Sequence, residues 1–191
     1  MKKIVLFASG SGSNVENIAN YFKNHDLSIE RVFCNNPDAF VFERCKNLEI
    51  PSTLFNREEF KNGTVLKYLE TIKPDLIVLA GFLWLIPQDF VNFFPDKIIN
   101  IHPALLPKFG GKGMYGMKVH EAVVANKETE TGISIHFVNE HYDEGNIIMQ
   151  EKVEVNQNDS PNDVANNIHQ LEYKYFPIAI EKLLFPNLLS D

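Results

Sequence analysis

An amide and an imidazole stand two residues apart where an apolar run ends, in the segment KIINIHPALLP, residues 97–107. Residues two apart in a β-strand point to the same side, so Asn100 and His102 share a face. An amide donor beside a group that titrates near neutral pH suits acyl transfer, in which an oxyanion is stabilised and a proton is moved. The alternative is that Asn100 caps a turn and His102 is a structural histidine.

A carboxylate for that histidine is offered by Asp143, in the segment YDEGN. A nearby carboxylate favours the charged imidazole, and Gly145 allows a sharp turn that would bring Asp143 across the sheet end. An ordinary turn residue is the alternative, because Asp-x-Gly is common in turns. His136 lies on the same strand face as Ser134. We expect it to have a structural role or to support the residues of the site without contacting the substrate.

A glycine-containing loop, FASGSGSN (residues 7–14), joins the first predicted strand to the first predicted helix. Gly10 and Gly12 let the backbone turn tightly, so that amides at the helix N-terminus can face an anion. A dinucleotide fingerprint does not fit, because Val15 replaces its third small residue, and the lysine of a P-loop is missing. A phosphomonoester site remains, or else a tight turn without a ligand. The side chains available to that site are Ser11, Ser13 and Asn14.

The other reactive residue types form no recognisable pattern. The sequence contains neither a His-Glu-x-x-His metal motif nor a Gly-x-Ser-x-Gly nucleophile motif. Cys34 and Cys45 lack disulfide or metal spacing, which fits buried thiols in a reducing cytosol. The single tryptophan, Trp84 in AGFLWLIP, follows a buried strand and could form a wall for a flat heterocycle or pack in the core.

Strand-like and helix-like segments alternate along most of the chain, which predicts βαβ units. The predicted strands are 2–8, 28–35, 51–55, 75–80 and 97–101, and the predicted helices are 14–23, 38–47, 56–72, 88–94 and 115–126. The segments TGISIHFV and NIIMQEKVEV then predict an antiparallel hairpin. Ser160-Pro161 begins a last helix of about 20 residues, which Pro177 should kink or divide. We expect one α/β domain, residues 1–191, with a Rossmann-like, mostly parallel central sheet flanked by helices.

Composition narrows the class of protein. The 191 residues are 45% hydrophobic, enough for a sizeable core, and carry a net charge of −7 without a basic run. This argues against nucleic acid or an anionic membrane as the main partner. No apolar run approaches the roughly 18 residues of a membrane span, and the apolar part of MKKIVLFASG is too short for a signal peptide. We therefore expect a cytoplasmic protein.

Four segments together resemble the folate-dependent formyltransferase family, and within it the phosphoribosylglycinamide formyltransferases of purine biosynthesis. They are VLFASGSGSN (5–14), PDLIVLAGF (74–82), INIHPALLP (99–107) and GISIHFVNEHYDEGNII (132–148). The resemblance implies formyl transfer from 10-formyltetrahydrofolate, a co-substrate, to the amine of N1-(5-phosphoribosyl)glycinamide, without a metal. It also implies a small-molecule substrate as the partner, and a monomer or homodimer.

The resemblance further implies roles for individual residues. Asn100 and His102 would stabilise the oxyanion during direct attack by the amine, and Asp143 would raise the pKa of His102 and keep it cationic. The residues implied to bind the phosphorylated substrate are Ser11, Gly12, Ser13, Asn14 and Glu172. The residues implied to bind the folate are Arg57, Leu83, Trp84, Leu85, Ile86, Asn100, Glu140, His141 and Tyr142.

Two features depart from the family pattern. Trp84 stands where bacterial relatives often have arginine, which bears on the fit of the pterin. The segment KFGGKGMYGMKVHEAV, residues 108–123, is longer and richer in glycine than the usual version. We expect it to be able to act as a mobile flap over the substrate.

Related activities are the nearest alternatives: hydrolysis of formyltetrahydrofolate, and formyl transfer to methionyl-tRNA or to sugar nucleotides. Those enzymes normally carry a further domain, for which we expect no room here, and the first loop favours a small phosphorylated substrate. A non-catalytic nucleotide-binding module could use the same loop. That reading would leave Asn100, His102 and Asp143 without a purpose.

Overall fold

The computed structural model describes residues 1–186, and the end of the predicted domain, 187–191, lies outside the described residues. Seven strands form one sheet in the order β3-β2-β1-β4-β5-β6-β7. The strands are β1 (Lys2–Ala8), β2 (Leu27–Cys34), β3 (Ser52–Leu54), β4 (Leu76–Leu79), β5 (Ile98–His102), β6 (Glu130–Phe137) and β7 (Ile147–Glu154). The pairings among β1 to β5 are all parallel, whereas β6 pairs antiparallel with both β5 and β7. The predicted fold class is confirmed.

Helices cover both faces of the sheet. They are α1 (Ser13–Phe22), α2 (Val41–Asn47), α3 (Arg57–Lys61), α4 (Thr64–Ile72), α5 (Gln88–Phe93), α6 (Met117–Ala125) and α7 (Pro161–Leu184). The alternating side chains of β1 show the two layers. Leu6 packs in the cluster that includes apolar residues of α1, α2, α6 and α7, and Phe7 packs in the cluster that includes those of α3, α4 and α5. Burial on both faces accounts for the nearly unbroken apolar runs in the parallel strands.

One predicted helix, 56–72, is in fact two. Asn56 and Glu59 form the expected capping box at its start, but α3 ends at Lys61 and α4 begins at Thr64. Gly63 lies between them with φ +85°. This left-handed conformation ends a helix and suits glycine, which has no Cβ. Helices α2 and α6 also begin two or three residues later than predicted.

The last helix runs through Pro177 without interruption, so of the predicted kink or division the division is wrong. A proline has no N–H, and the carbonyl four residues earlier loses its helical donor. Here that carbonyl belongs to Tyr173, and it accepts a hydrogen bond of 2.8 Å from Asn17 Nδ2 of α1. The replacement donor explains how α7 continues. None of the helices described is long and apolar enough to cross a membrane.

Candidate active site

A cavity of about 560 Å³ lies where β1, β4 and β5 end. Strand β1 has β2 on one side and β4 on the other, because the chain adds β2 and β3 on the first side and then crosses over to add β4 on the second. In open α/β sheets, ligands bind at the carboxyl ends of the strands beside this change of direction. Three segments singled out from the sequence meet there: 10–14, 82–86 and 100–103.

His102, the last residue of β5, is buried between a carbonyl and a carboxylate. Its Nε2 lies 2.8 Å from the Phe109 carbonyl oxygen, and because that oxygen can only accept, Nε2 carries a hydrogen. On the other side of the ring, Nδ1 lies 3.4 Å from Oδ2 of Asp143. A proton on Nδ1 would therefore be shared with a carboxylate.

The charge state of His102 depends on opposing influences. Burial lowers its pKa and outweighs the raising effects of the Asp143 carboxylate and the Phe109 carbonyl, while His136 lowers the pKa a little further. The net pKa of His102 is therefore below its ordinary value. The Asp143 carboxylate thus acts in the predicted direction, but burial has the larger effect and opposes the cationic state that the resemblance implies.

Asn100 reaches both the carboxylate and a second histidine. It pairs across the sheet with His136, and its Nδ2 lies 3.2 Å from His136 Nε2 and 3.5 Å from Asp143 Oδ1. His136 Nδ1 lies 2.8 Å from the Phe137 carbonyl, so Nδ1 donates and Nε2 can accept from Asn100. At 3.5 Å the contact with Asp143 is weak. One amide hydrogen of Asn100 is thus available to a ligand.

Asp143 occupies a turn that holds its carboxylate in place. Its φ is +57°, a conformation that aspartate tolerates better than most residues. Gly111 N–H donates to Oδ2 at 2.9 Å. Burial acts to raise the pKa of Asp143, but the nearby His136 and His102 imidazoles and the Gly111 N–H together hold it below its usual value. Nearby Gly145 is required, since a Cβ there would lie 1.7 Å from the Phe137 carbonyl oxygen.

The first loop, defined here as residues 9–14, lines the opposite side of the cavity. Gly12 has φ +75° and precedes α1 without a side-chain cap. Within residues 1–186, the backbone N–H groups of 10–14 have no protein acceptor. Free N–H groups at a helix N-terminus form a concavity for an anion. This arrangement suits the predicted phosphomonoester.

Glu172 of α7 is buried at the foot of the first loop. Asn14 Nδ2 donates to its Oε2 at 3.0 Å. Burial raises the pKa of Glu172, opposed by the bond from Asn14 and by His169. The Asn14 side chain is therefore bonded to α7 while its backbone N–H stays free at the loop.

The segment after β4 forms a largely apolar wall, residues 82–86. Leu83 and Leu85 are 46% and 40% exposed, which is high for leucines beside a cavity. Leu83 N–H donates to Ser9 Oγ at 3.1 Å, which ties this apolar wall to the first loop. Among the described residues, the backbone groups of 84–86 have no hydrogen-bond partner. They remain available to a ligand.

The sequence-predicted folate residues divide into two groups. Those on the cavity wall are Leu83, Trp84, Leu85, Ile86, Asn100, His141 and Tyr142. Arg57 and Glu140 do not line the cavity. The Arg57 guanidinium lies 4.5 Å from the centre of the Trp84 ring and supports that ring from outside. All the predicted catalytic and substrate residues line the cavity: Ser11, Gly12, Ser13, Asn14, Asn100, His102, Asp143 and Glu172.

The start of the predicted flap contacts two of the predicted catalytic residues. The Phe109 carbonyl and the Gly111 N–H bind His102 and Asp143, and Lys112 and Tyr115 line the cavity. A ligand that displaced Phe109 from His102 would have to move this segment. Its mobility stays a prediction.

Two histidines of the cavity wall were not predicted from the sequence. His120 of α6 is 3% exposed, and burial lowers its pKa to about 4, with smaller effects from His169 and His102. A signal for His120 was present, because Val119 and Val123 place it near the buried stripe of its helix. His169 of α7 joins it only through tertiary packing.

Comparisons with known proteins find relatives along nearly the whole chain. Residues 2–180 match the family described as formyl transferase. The phosphoribosylglycinamide formyltransferase of Bacillus subtilis (strain 168) is 37% identical over 191 residues, which cover 96% of this chain and 95% of that protein. The Haemophilus influenzae protein of the same name is 35% identical, covering 95% and 86%. The crystal structure of phosphoribosylglycinamide formyltransferase from Bacillus halodurans has a TM-score of 0.88 at 31% identity and covers 96% of each chain.

Proposed function

This chain belongs to the formyl transferase family, and we propose that it transfers a formyl group from 10-formyltetrahydrofolate to the amine of N1-(5-phosphoribosyl)glycinamide, a step of purine biosynthesis. One observation carries the proposal. A single cavity joins a loop of free N–H groups, an apolar wall with free backbone groups, and an amide, an imidazole and a carboxylate between them. The loop suits a phosphate, the wall suits a flat heterocycle, and the three side chains between them suit acyl transfer.

The phosphate of the substrate binds the first loop. Five successive residues, 10–14, offer free N–H groups, and the α1 dipole adds a partial positive charge. The chain has a net charge of −7, so attraction has to be local. Glu172 lies next to Asn14 and supplies a carboxyl group toward the amine of the same substrate. Burial raises the pKa of this carboxyl, against the opposing effects of Asn14 and His169.

The folate lies along the apolar wall. 10-Formyltetrahydrofolate supplies the formyl group, and its heterocycle needs apolar contact together with donors and acceptors at its edges. Exposed Leu83 and Leu85 supply the contact, and the free backbone groups of 84–86 supply the hydrogen bonds. Trp84 is held by Arg57 and two phenylalanines, Phe55 and Phe60. These contacts keep the wall rigid.

Catalysis rests on Asn100 and His102. As the amine attacks the formyl carbon, the carbonyl oxygen becomes negative, and the free amide hydrogen of Asn100 and the Nε2 hydrogen of His102 stabilise it. His102 donates this hydrogen to the Phe109 carbonyl and transfers the bond to the substrate oxygen when the substrate binds. His102 is buried and Asn100 is half-buried, so water screens the interaction less than it would at an exposed site.

His102 also moves the proton. The lowered net pKa favours a neutral His102, whose lone pair is on Nδ1 because Nε2 carries the hydrogen, and Nδ1 takes up the proton that the attacking nitrogen loses through water beside Asp143. The oxyanion and the Asp143 carboxylate, 3.4 Å from Nδ1, stabilise the imidazolium. The proton then passes to the departing nitrogen of the folate as the carbon–nitrogen bond breaks. No bond between protein and formyl group is formed.

Absorbance measurements test the activity. Loss of the formyl group from 10-formyltetrahydrofolate is followed with and without phosphoribosylglycinamide. Turnover that requires the glycinamide supports the proposal. Equal loss without it would instead show hydrolysis, and no loss together with ligand binding would favour a binding module.

We also propose that residues 1–191 form a single domain that acts as a monomer or homodimer in the cytoplasm. Both apolar clusters pack on one sheet, which supports a single folding unit. Cys34 and Cys45 are free and buried, as suits a reducing compartment. Sedimentation of the purified protein would give the oligomeric state.

A further inference from the structure

Three consecutive carbonyl groups of the first loop are bound from one side. The hydrogen bonds run from Asn36 Nδ2 to Ser9 O at 3.2 Å, from Val41 N to Gly10 O at 3.3 Å, and from Arg44 Nε to Ser11 O at 3.0 Å. All three donors belong to one short segment, residues 36–44, between the end of β2 and the middle of α2. This segment lies behind the loop and does not line the cavity.

These bonds determine where the loop N–H groups point. In a planar trans peptide, the C=O and the following N–H point in opposite directions. The carbonyls of Ser9, Gly10 and Ser11 belong to the same peptide units as the N–H groups of residues 10–12. Since each carbonyl is held toward the segment 36–44, each N–H is turned away from it. The bonds therefore aim three consecutive donors at the cavity.

The loop would not hold this shape by itself. It consists of small residues, which lose much conformational freedom when they are ordered. Its own N–H groups make no internal bonds among the described residues. Contact from behind is close, since a Cβ on Gly12 would lie 2.4 Å from Val41 Cγ2. The segment 36–44 therefore orders the loop before any ligand binds, together with the bonds that join Ser9 to Gly81 and Leu83.

We propose that Arg44 and Asn36 are positioning residues that set the peptide groups of the first loop for a phosphomonoester dianion, and thereby set the preference for phosphorylated over unphosphorylated glycinamide ribosides. This inference rests on the proposed function and adds the residues that determine specificity for the phosphate. Neither side chain needs to touch the substrate. Their effect is transmitted through the carbonyls of Ser9 and Ser11.

Arg44 acts by direction more than by charge. Its guanidinium forms an ion pair with Glu16 and lies 5.2 Å from the centre of the Phe40 ring. The Glu16 carboxylate offsets the positive charge of Arg44, which would otherwise attract a phosphate. Asn36 is neutral and makes the equivalent bond to Ser9. If replacing either residue weakens phosphate binding equally, the cause is the lost hydrogen bond to the loop, because Asn36 carries no charge.

The test compares kcat/KM for phosphoribosylglycinamide and for the glycinamide riboside without phosphate. In Arg44→Met and in Asn36→Ala, we expect the ratio of the two values to fall about tenfold, as for the loss of a well-aimed bond to an anion. The fall should come from the KM of the phosphorylated substrate, with kcat and the KM of the folate unchanged. Arg31→Met is the matched control, because Arg31 bonds to Thr53 and packs on Tyr68, away from the loop.

Arg44→Lys separates charge from direction. It keeps the positive charge and loses the planar guanidinium, so its ratio should fall with that of Arg44→Met. A wild-type ratio in Arg44→Lys, or in Asn36→Ala with an unchanged melting temperature, would overturn the proposal. If the wild-type protein shows no transfer, the proposed function fails. The inference is then tested by titrating inorganic phosphate and following the amide resonances of residues 10–12, whose shifts should weaken in both variants.

Discussion

Nδ1 of His102 lies 3.4 Å from Oδ2 of Asp143, with side chains only 4% and 10% exposed. The pair combines two effects that act against each other. Burial favours the neutral imidazole, whereas the carboxylate favours the cation. This balance suits the proposed role of His102, in which a neutral imidazole accepts a proton beside an oxyanion and then returns it.

Replacing Asp143 by asparagine should change both turnover and its pH dependence. The variant keeps the size of the side chain and removes the charge that raises the pKa of His102. We expect kcat to fall by roughly 100-fold or more, as for loss of a partner of a catalytic histidine. The acidic limb of kcat/KM, where His102 becomes protonated, should move to lower pH. A lower rate with an unmoved or raised limb would show that Asp143 does not act on this imidazole.

Replacing His102 by alanine should abolish most of the chemistry and leave binding nearly intact. The variant removes the Nε2 donor and the proton acceptor together, and we expect turnover to fall on the order of 100-fold or more with similar substrate affinity. Single-turnover rates and equilibrium binding measure the two separately. His25→Gln is a control, because His25 pairs with Glu181 away from the cavity. Near-normal turnover in His102→Ala would rule out its proposed role.

Much of the fold was predictable because buried parallel strands have short, nearly continuous apolar sequences. The misses have tertiary causes. The sequence around Gly63 has a helical pattern whether the chain forms one helix or two. It therefore does not reveal that Gly63 adopts φ +85° and separates α3 from α4. At Pro177 the sequence shows a missing N–H. It does not show that Asn17, from another helix, binds the carbonyl left free.

The candidate site was predictable where local rules apply. Strand alternation places Asn100 and His102 on one face, and the hairpin carries Asp143 to them. The net pKa of His102 was not predictable, because burial and the nearness of His136 depend on packing of distant segments. His120 was missed for the same reason. Its neighbour His169 comes from a different helix and shares no motif with it.

Glu172→Gln should stabilise the protein near neutral pH. Burial raises the pKa of this carboxyl above its ordinary value of 4.5, so as pH rises the unfolded chain loses the proton first. Ionisation therefore favours unfolding above that pH, and a neutral glutamine avoids the loss. Urea unfolding should show a higher free energy of unfolding for the variant at about pH 7 and little difference at about pH 4. A less stable variant at neutral pH would contradict the raised pKa.

His120→Gln should weaken the dependence of stability on acid. Burial lowers the pKa of His120 from 6.5 to about 4, so between these values the unfolded chain binds the proton and the folded protein does not. As the pH is lowered through this window, the free energy of unfolding should decrease by up to about 3 kcal/mol because of this one group. Glutamine does not titrate, and the variant should lose less stability between about pH 7 and pH 4.5. Equal losses in both proteins would place the acid sensitivity elsewhere.

Gly12→Ala should impair the first loop more than the same change impairs a glycine elsewhere. Gly12 and Gly63 have similar φ values, +75° and +85°, so both pay the cost of a Cβ in the left-handed region, about 1–2 kcal/mol. Only at Gly12 does the Cβ also meet Val41, whereas nothing lies within 4 Å at Gly63. Gly63→Ala should therefore lose stability and keep its KM for phosphoribosylglycinamide, while Gly12→Ala should raise that KM at least tenfold, because the loop N–H groups are displaced. Adding Val41→Ala to Gly12→Ala should recover part of the loss, because it removes the closest overlap, with Cγ2, and leaves the one with Cβ. If the KM stays near the wild-type value in Gly12→Ala, the phosphate does not bind this loop.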